Sequence, residues 1–208
     1  MIHIFLETGK QSTSEYVFID TLLKKIGLSH NVIIETVNGK DNLAKAKNAF
    51  VTNTLEGGTN LIIFDADTPL NEGGFKERQK NLLQKLDELE ITAELFLFPN
   101  NHDDGCFEDL LLKIALFDRY KTFFDCFGDY EKCLGDKYAH PNLKGKIFSY
   151  ISSMKSLTNN QRDHLGQGKW LFDNADYWDL DNDALLPLKE FLLHWITEDN
   201  SNTSVFTT

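Results

Sequence analysis

Short apolar runs alternate with longer amphipathic stretches over the first half of the chain. Four runs have the length and composition of strands, at residues 2–6, 32–37, 61–64 and 95–98. Between them, apolar residues recur at helical spacing over 16–26, 43–55 and 75–89. This strand–helix alternation predicts an α/β fold with a parallel four-stranded sheet and helices on both faces.

The second half of the chain has a different pattern. From Glu108 onward the apolar spacing is mostly helical, and it ends in a helix at about 185–196. No internal repeat or linker-like stretch interrupts the chain. We therefore expect an α/β core over residues 1–115, a helical region over 116–198 packed on that core, and a flexible tail over 199–208.

The net charge of the chain bears on whether it can bind nucleic acid. The chain has 21 Lys and Arg against 32 Asp and Glu, a net charge of −11. Such a field repels phosphate backbones, so nucleic acid would need a local basic groove or help from a protein partner.

Three cysteines, an odd number, favour a reducing compartment over a disulfide framework. With no secretory signal and no apolar run of about 20 residues, the sequence predicts a cytoplasmic protein without a membrane span.

Two aspartates follow the apolar run at residues 61–64. The segment Leu-Ile-Ile-Phe is followed directly by Asp65, Ala66 and Asp67. If the strand continued through both, their side chains would point the same way, roughly 6–7 Å apart. Two such carboxylates repel each other unless a cation lies beside them, and Mg²⁺ or Mn²⁺ prefers oxygen ligands. The alternative is that both aspartates cap the strand by accepting backbone hydrogen bonds.

Two further polar segments follow neighbouring strands. Glu7 stands just after the first strand, and Asn38-Gly39 closes the second. Because the carboxyl ends of parallel strands meet at one edge of the sheet, Glu7 converges on Asp65 and Asp67 if strands one and three are neighbours. Ligands of open α/β sheets bind at that same edge.

The order of these features resembles the Toprim (topoisomerase–primase) domain. The chain is most similar to an uncharacterised bacterial Toprim-like family, distantly related to the overcoming-lysogenization-defect nucleases. The segments LIIFDADTPLNEGGFKERQKNL, ELFLFPNNHDDGCFEDLLLKIA and LKGKIFSYI carry the match. The resemblance covers roughly residues 1–115, and the third segment extends it.

The resemblance implies roles for particular residues. It makes Glu7 a general acid/base or metal ligand, and Asp65 and Asp67 the ligands of Mg²⁺. Related nucleases place a further acidic residue after the fourth strand, which corresponds to Glu108, and a lysine near Lys144 that would offset charge on the phosphoryl group. One departure is that Thr8 separates the glutamate from the glycine that usually follows it directly.

Three functions fit these observations. The first is a Mg²⁺-dependent, nuclease-like protein that cleaves or transfers phosphodiesters. The second is a non-catalytic Toprim-like module whose helical half binds a protein partner. The third uses the match of residues 65–68 to the DxDxT motif of haloacid-dehalogenase-like phosphatases, with Asp65 as nucleophile, Asp67 as acid and Asp103-Asp104 as later metal ligands.

Overall fold

The computed structural model describes residues 1–9, 13–39, 42–71 and 73–203, which form four strands and eight α-helices. In chain order the elements are β1 Ile2–Leu6, α1 Ser14–Lys25, β2 Val32–Thr36, α2 Leu43–Leu55, β3 Thr59–Asp65, α3 Phe75–Glu88, β4 Glu94–Phe98, α4 Phe107–Ile114, α5 Lys121–Leu134, α6 Leu143–Ser152, α7 Asn159–Leu165 and α8 Leu186–Thr203. These bounds confirm the α/β alternation that the apolar pattern predicts.

The four strands form one parallel sheet in the order β2-β1-β3-β4. Strand β1 therefore lies between β2 and β3, and its Leu6 is paired with Ile63 of β3. The chain first moves outward from β1 to β2 and then returns to the other side of β1. The strand order thus reverses between β1 and β3, where α/β sheets open a crevice at their carboxyl edge.

The reversal also decides which face of the sheet each helix covers. Crossovers between parallel strands are right-handed, so a change of direction moves the connecting helix to the opposite face. Accordingly, Phe18 of α1 packs in one apolar cluster with Ile4, whereas Phe50 of α2 packs in another cluster with Phe5. The predicted three-layer arrangement, with helices on both faces, is confirmed.

The helices of the second half lie on the α1 face. Ile147 and Tyr150 of α6 belong to the same buried cluster as Ile4 of the sheet. The final helix α8 continues to Thr203, beyond the predicted tail boundary at 199, and residues 204–208 lie outside the described part of the chain. Among the described helices, none has the length and apolarity that crossing a membrane requires.

An irregular segment, residues 166–181, runs along α1 from one end to the other. At its start, Gly168 lies against the backbone of Ser14, and at its end Asp181 is ion-paired with Lys25 at 2.8 Å. In between, the indole of Trp178 is buried and donates a hydrogen bond to the carbonyl of Trp170 at 2.7 Å. The segment therefore holds α1 in place and helps to orient both of its ends.

Candidate functional site

The site lies at the carboxyl edge of the sheet, where β1 and β3 end side by side. Since Leu6 is paired with Ile63, Glu7 leaves β1 level with Phe64, one residue before Asp65 ends β3. The backbone carbonyl of Glu7 accepts a hydrogen bond from Gly39 at 2.6 Å, and that of Thr8 accepts one from Asn38 at 3.0 Å. The turn after β2 thus fixes the position of Glu7, with Thr8 in place of the expected glycine.

Asp65 is held by the start of the helix that follows β4. Its Oδ1 accepts a hydrogen bond from the backbone N–H of Phe107, the first residue of α4, at 2.7 Å. Burial nevertheless raises the pKa of the Asp65 carboxyl well above its usual range, and the charges of Glu15, Glu108 and Glu7 raise it further. Both the burial of Asp65 and the negative charges around it therefore disfavour its ionised form.

Glu15 is a site residue that the sequence reasoning missed. It lies in the first turn of α1. Its pKa is raised to about 7, first by burial and then by the charges of Glu108 and Glu7. The ammonium of Lys144 and a hydrogen bond from the Thr8 backbone act in the opposite direction. A signal for Glu15 was present, because a helix that follows the first strand of such a sheet begins at the carboxyl edge.

Four acidic side chains act on one another here, and we call them the acidic cluster: Glu7, Glu15, Asp65 and Glu108. Each comes from a different element, and two lie in the first turns of α1 and α4. The positive ends of these two helix dipoles partly offset the clustered negative charge. Lys144, in the first turn of α6, supplies a full positive charge beside the cluster.

Asp67 faces a different partner from Asp65, which corrects the expectation that the two share one face. Strand β3 ends at Asp65, and Asp67 has a left-handed backbone with φ of 59°. The period-two alternation of a strand therefore does not extend to Asp67. Its carboxylate is ion-paired with the guanidinium of Arg78 in α3, and its backbone carbonyl accepts a hydrogen bond from Gly105.

The two aspartates after β4 also lie apart from the cluster. Asp104 accepts a hydrogen bond from the backbone N–H of Phe75 at 2.7 Å, and so caps the start of α3. Asp103 is exposed, with its carboxylate 2.8 Å from Nδ1 of His102. Neither makes the contact with Asp65 that the phosphatase interpretation expects of later metal ligands.

The donor chemistry of the cluster fits a hard divalent cation. Carboxylate oxygens are the ligands that Mg²⁺ prefers, and it is usually bound through only one or two of them together with water. Among the residues that the structure describes, no three His, Cys, Asp or Glu side chains are placed so that they could hold a metal ion together. Binding with several protein ligands would therefore require these side chains to move closer together.

Comparison of this chain with models of known protein families, with curated proteins and with solved structures returns no match. An assignment of function therefore rests on the arrangement of its own residues. That arrangement consists of four acidic side chains and one lysine at the carboxyl edge of the sheet, where the charges of Glu7 and Glu108 raise the pKa of both Glu15 and Asp65.

Proposed function

We propose that the acidic cluster binds Mg²⁺ or Mn²⁺ and that the protein is a nuclease-like enzyme of the Toprim type, which cleaves or transfers phosphodiesters. The observation behind this proposal is that Glu7 and Asp65 follow neighbouring strands at the switch point of the sheet, and that the charges of Glu7 and Glu108 raise the pKa of Asp65. The ammonium of Lys144 acts on the same group of acids through Glu15. These residues come from separate elements and not from one acidic stretch, which supports the proposal.

Electrostatics gives the cluster a reason to bind a cation. Partly buried carboxylates that repel one another are stabilised when they take up protons or when a positive ion lies among them. We assign Glu7, Asp65 and Glu108 as the groups that hold the ion. When bound, a divalent cation would polarise a phosphoryl oxygen and lower the pKa of bound water.

The remaining groups have roles that follow from their own chemistry. The Glu15 carboxyl, with a pKa of about 7, is suited to accepting a proton from an attacking water or hydroxyl near neutral pH. The ammonium of Lys144 would offset the charge that develops on the transferred phosphoryl oxygens. Because the chain carries a net charge of −11, we infer that a nucleic acid substrate is presented with the help of a protein partner.

A non-catalytic interaction module remains the second candidate. It is favoured by one observation, that no three potential ligands in the described residues form a ready metal site. In such a module the raised pKa values of Glu15 and Asp65 would favour the protonated form of these two carboxyls without a metal ion. The phosphatase alternative is disfavoured, because the Asp67 carboxylate that should donate a proton is paired with Arg78.

Calorimetric titration with Mn²⁺ and Mg²⁺ distinguishes these candidates. We expect saturable binding to the wild type, loss of that binding in Asp65→Asn, and unchanged binding in Asp118→Asn, which removes one exposed charge outside the cluster. Asp67→Asn should retain binding, since its carboxylate belongs to the Arg78 pair. Absence of wild-type binding at millimolar metal would instead support the interaction module.

Activity is tested separately with single-stranded and duplex DNA and RNA in the presence of Mn²⁺. Glu15→Gln should bind the metal and lose most of the cleavage, because the amide cannot accept a proton. Equal cleavage by Glu15→Gln and wild type would remove Glu15 from the proposed mechanism. Metal binding without cleavage of any of these substrates would leave a cation site in a protein that is not a nuclease.

A further inference from the structure

A cavity of about 740 Å³ opens along α1, whose residues from Val17 to Lys25 form one side of it. It lies between α1 and residues 169–181, the later part of the irregular segment. Cavities that hold small organic molecules generally measure about 300–1,000 Å³. This one is therefore the right size for a small ligand, and it shares no residue with the acidic cluster.

The walls of the cavity are mostly apolar. Val17 and Leu116 line it and are partly exposed, whereas the rings of Phe172 and Trp178 lie deeper, 1% exposed and with centroids 5.3 Å apart. Leu171 also lines the cavity and has a left-handed backbone with φ of 56°. A bulky side chain seldom adopts that conformation, and such strain is concentrated at ligand sites.

The rim carries six charged side chains, Lys24, Lys25, Lys169, Asp173, Asp179 and Asp181. Lys25 is paired with Asp181 at 2.8 Å, and Lys24 is paired with Asp20 at 2.6 Å. Asp179 accepts hydrogen bonds from the backbone of Asp181 at 3.1 Å and from the Asn182 amide at 3.2 Å.

Two charges on the rim are left without a partner. Neither Lys169 nor Asp173 makes an ion pair or a side-chain hydrogen bond within the described chain. One is positive and the other negative, and they border the same apolar cavity. A ligand that matches these charges would carry one anionic group, one cationic group and an apolar body.

We propose that this cavity binds a small zwitterion with an apolar or aromatic body, of the kind represented by an apolar α-amino acid. Lys169 holds the carboxylate, Asp173 holds the ammonium group, and the body lies against Val17, Leu116 and Leu171, which line the cavity and are partly exposed. This inference is independent of the acidic cluster, because a ligand here would bind whether or not the protein binds metal.

Three probes of the same size test the proposal by calorimetry on the full chain: L-phenylalanine, 3-phenylpropionate, which lacks the ammonium, and phenethylamine, which lacks the carboxylate. We expect phenylalanine to bind saturably with one site per chain, at least five-fold tighter than either relative. Absence of saturable phenylalanine binding, or equal affinity for one of the relatives, would overturn the proposal.

Substitutions then assign each group. Lys169→Met should weaken phenylalanine at least five-fold and remove its advantage over phenethylamine, whereas Asp173→Asn should remove its advantage over 3-phenylpropionate. Lys155→Met, which alters an exposed lysine outside the cavity, is the matched control and should bind as the wild type does. Ala175→Trp, on the lining of the cavity, should obstruct part of it and weaken phenylalanine binding; unchanged binding in that variant would place the ligand elsewhere and refute the site.

Discussion

The Asp67 carboxylate is ion-paired with the guanidinium of Arg78, whose side chain is only 6% exposed. Within the described residues, Nε of Arg78 is buried and has no hydrogen-bond partner. The charge of Arg78 is therefore compensated chiefly by Asp67. A buried cation depends strongly on such a partner, because the interior solvates it poorly.

Removing Asp67 should consequently destabilise the fold more than removing an ordinary surface carboxylate. We expect Asp67→Asn to lower the free energy of unfolding by about 2–4 kcal/mol, measured by urea denaturation. Adding Arg78→Met should restore at least half of the loss, since the buried charge is then gone. Asp118→Asn, at an exposed position, serves as the control. If Asp67→Asn and Asp118→Asn have the same effect, the pair contributes no more than a surface ion pair.

The raised pKa of Glu15 makes stability depend on pH in a definite direction. Its pKa is 4.5 when unperturbed and about 7 in the folded protein, so between these values the folded state binds more protons than the unfolded state. The free energy of unfolding should therefore fall as the pH rises from about 4.5 to 7. Asp65, whose pKa is also raised, acts in the same direction.

Glu15→Gln should make this pH dependence shallower and should stabilise the protein at pH 7.5, on the order of 1–3 kcal/mol. Urea denaturation at half-unit pH steps from 4.5 to 8 measures both effects. Glu77→Gln, an exposed substitution in the first turn of α3, controls for loss of a carboxylate near a helix start. A slope identical to that of the wild type would mean that Glu15 titrates normally.

Cation binding, if it occurs at the acidic cluster, should release protons. Protons and metal compete for the same carboxylates, so the affinity for Mn²⁺ should rise between pH 6 and pH 8. Titrations at pH 6.5 in two buffers of different ionisation enthalpy measure the number of protons released. We expect the wild type to release protons when it binds Mn²⁺, and the Glu15→Gln variant to release fewer. Binding that is independent of both pH and buffer would place the metal outside the cluster.

Two glycines should respond in opposite ways to replacement by alanine. A Cβ on Gly168, where φ is 81°, would lie 2.5 Å from the backbone nitrogen of Ser14 at the start of α1. We expect Gly168→Ala to lower the free energy of unfolding by about 1–3 kcal/mol, because either the segment or α1 must shift. Thermal or urea denaturation measures the change.

Gly128 is the matched comparison, since it lies within α5 and a Cβ there would meet no atom within 4 Å. Gly128→Ala should raise the free energy of unfolding by about 0.5–1 kcal/mol, through the higher helix propensity of alanine. Similar effects of the two substitutions would show that the contact between Gly168 and Ser14 does not constrain α1.

The positions of site residues at strand ends could be predicted from the sequence. The position of Asp67, in the turn after β3, could not. Glu7 and Asp65 directly follow or end apolar runs, so a parallel sheet places them at one edge. Asp67 is only two residues farther, but its left-handed backbone directs its carboxylate to Arg78. Glu15 lies in the first turn of α1, so the strand–helix order places it near the same edge, but apolar spacing alone does not show that it is partly buried beside Asp65.

The amino-acid pattern by itself determined the order of strands and helices through residue 98, because buried strands and amphipathic helices need different periods of apolar residues. Tertiary structure decided which acidic groups meet. The strand order β2-β1-β3-β4 brings Glu7 beside Asp65, and the packing of α1 and α4 adds Glu15 and Glu108. The physical reason is range: periodicity is set by neighbours a few residues apart, whereas these carboxylates, up to about a hundred positions apart, are brought together only by long-range packing.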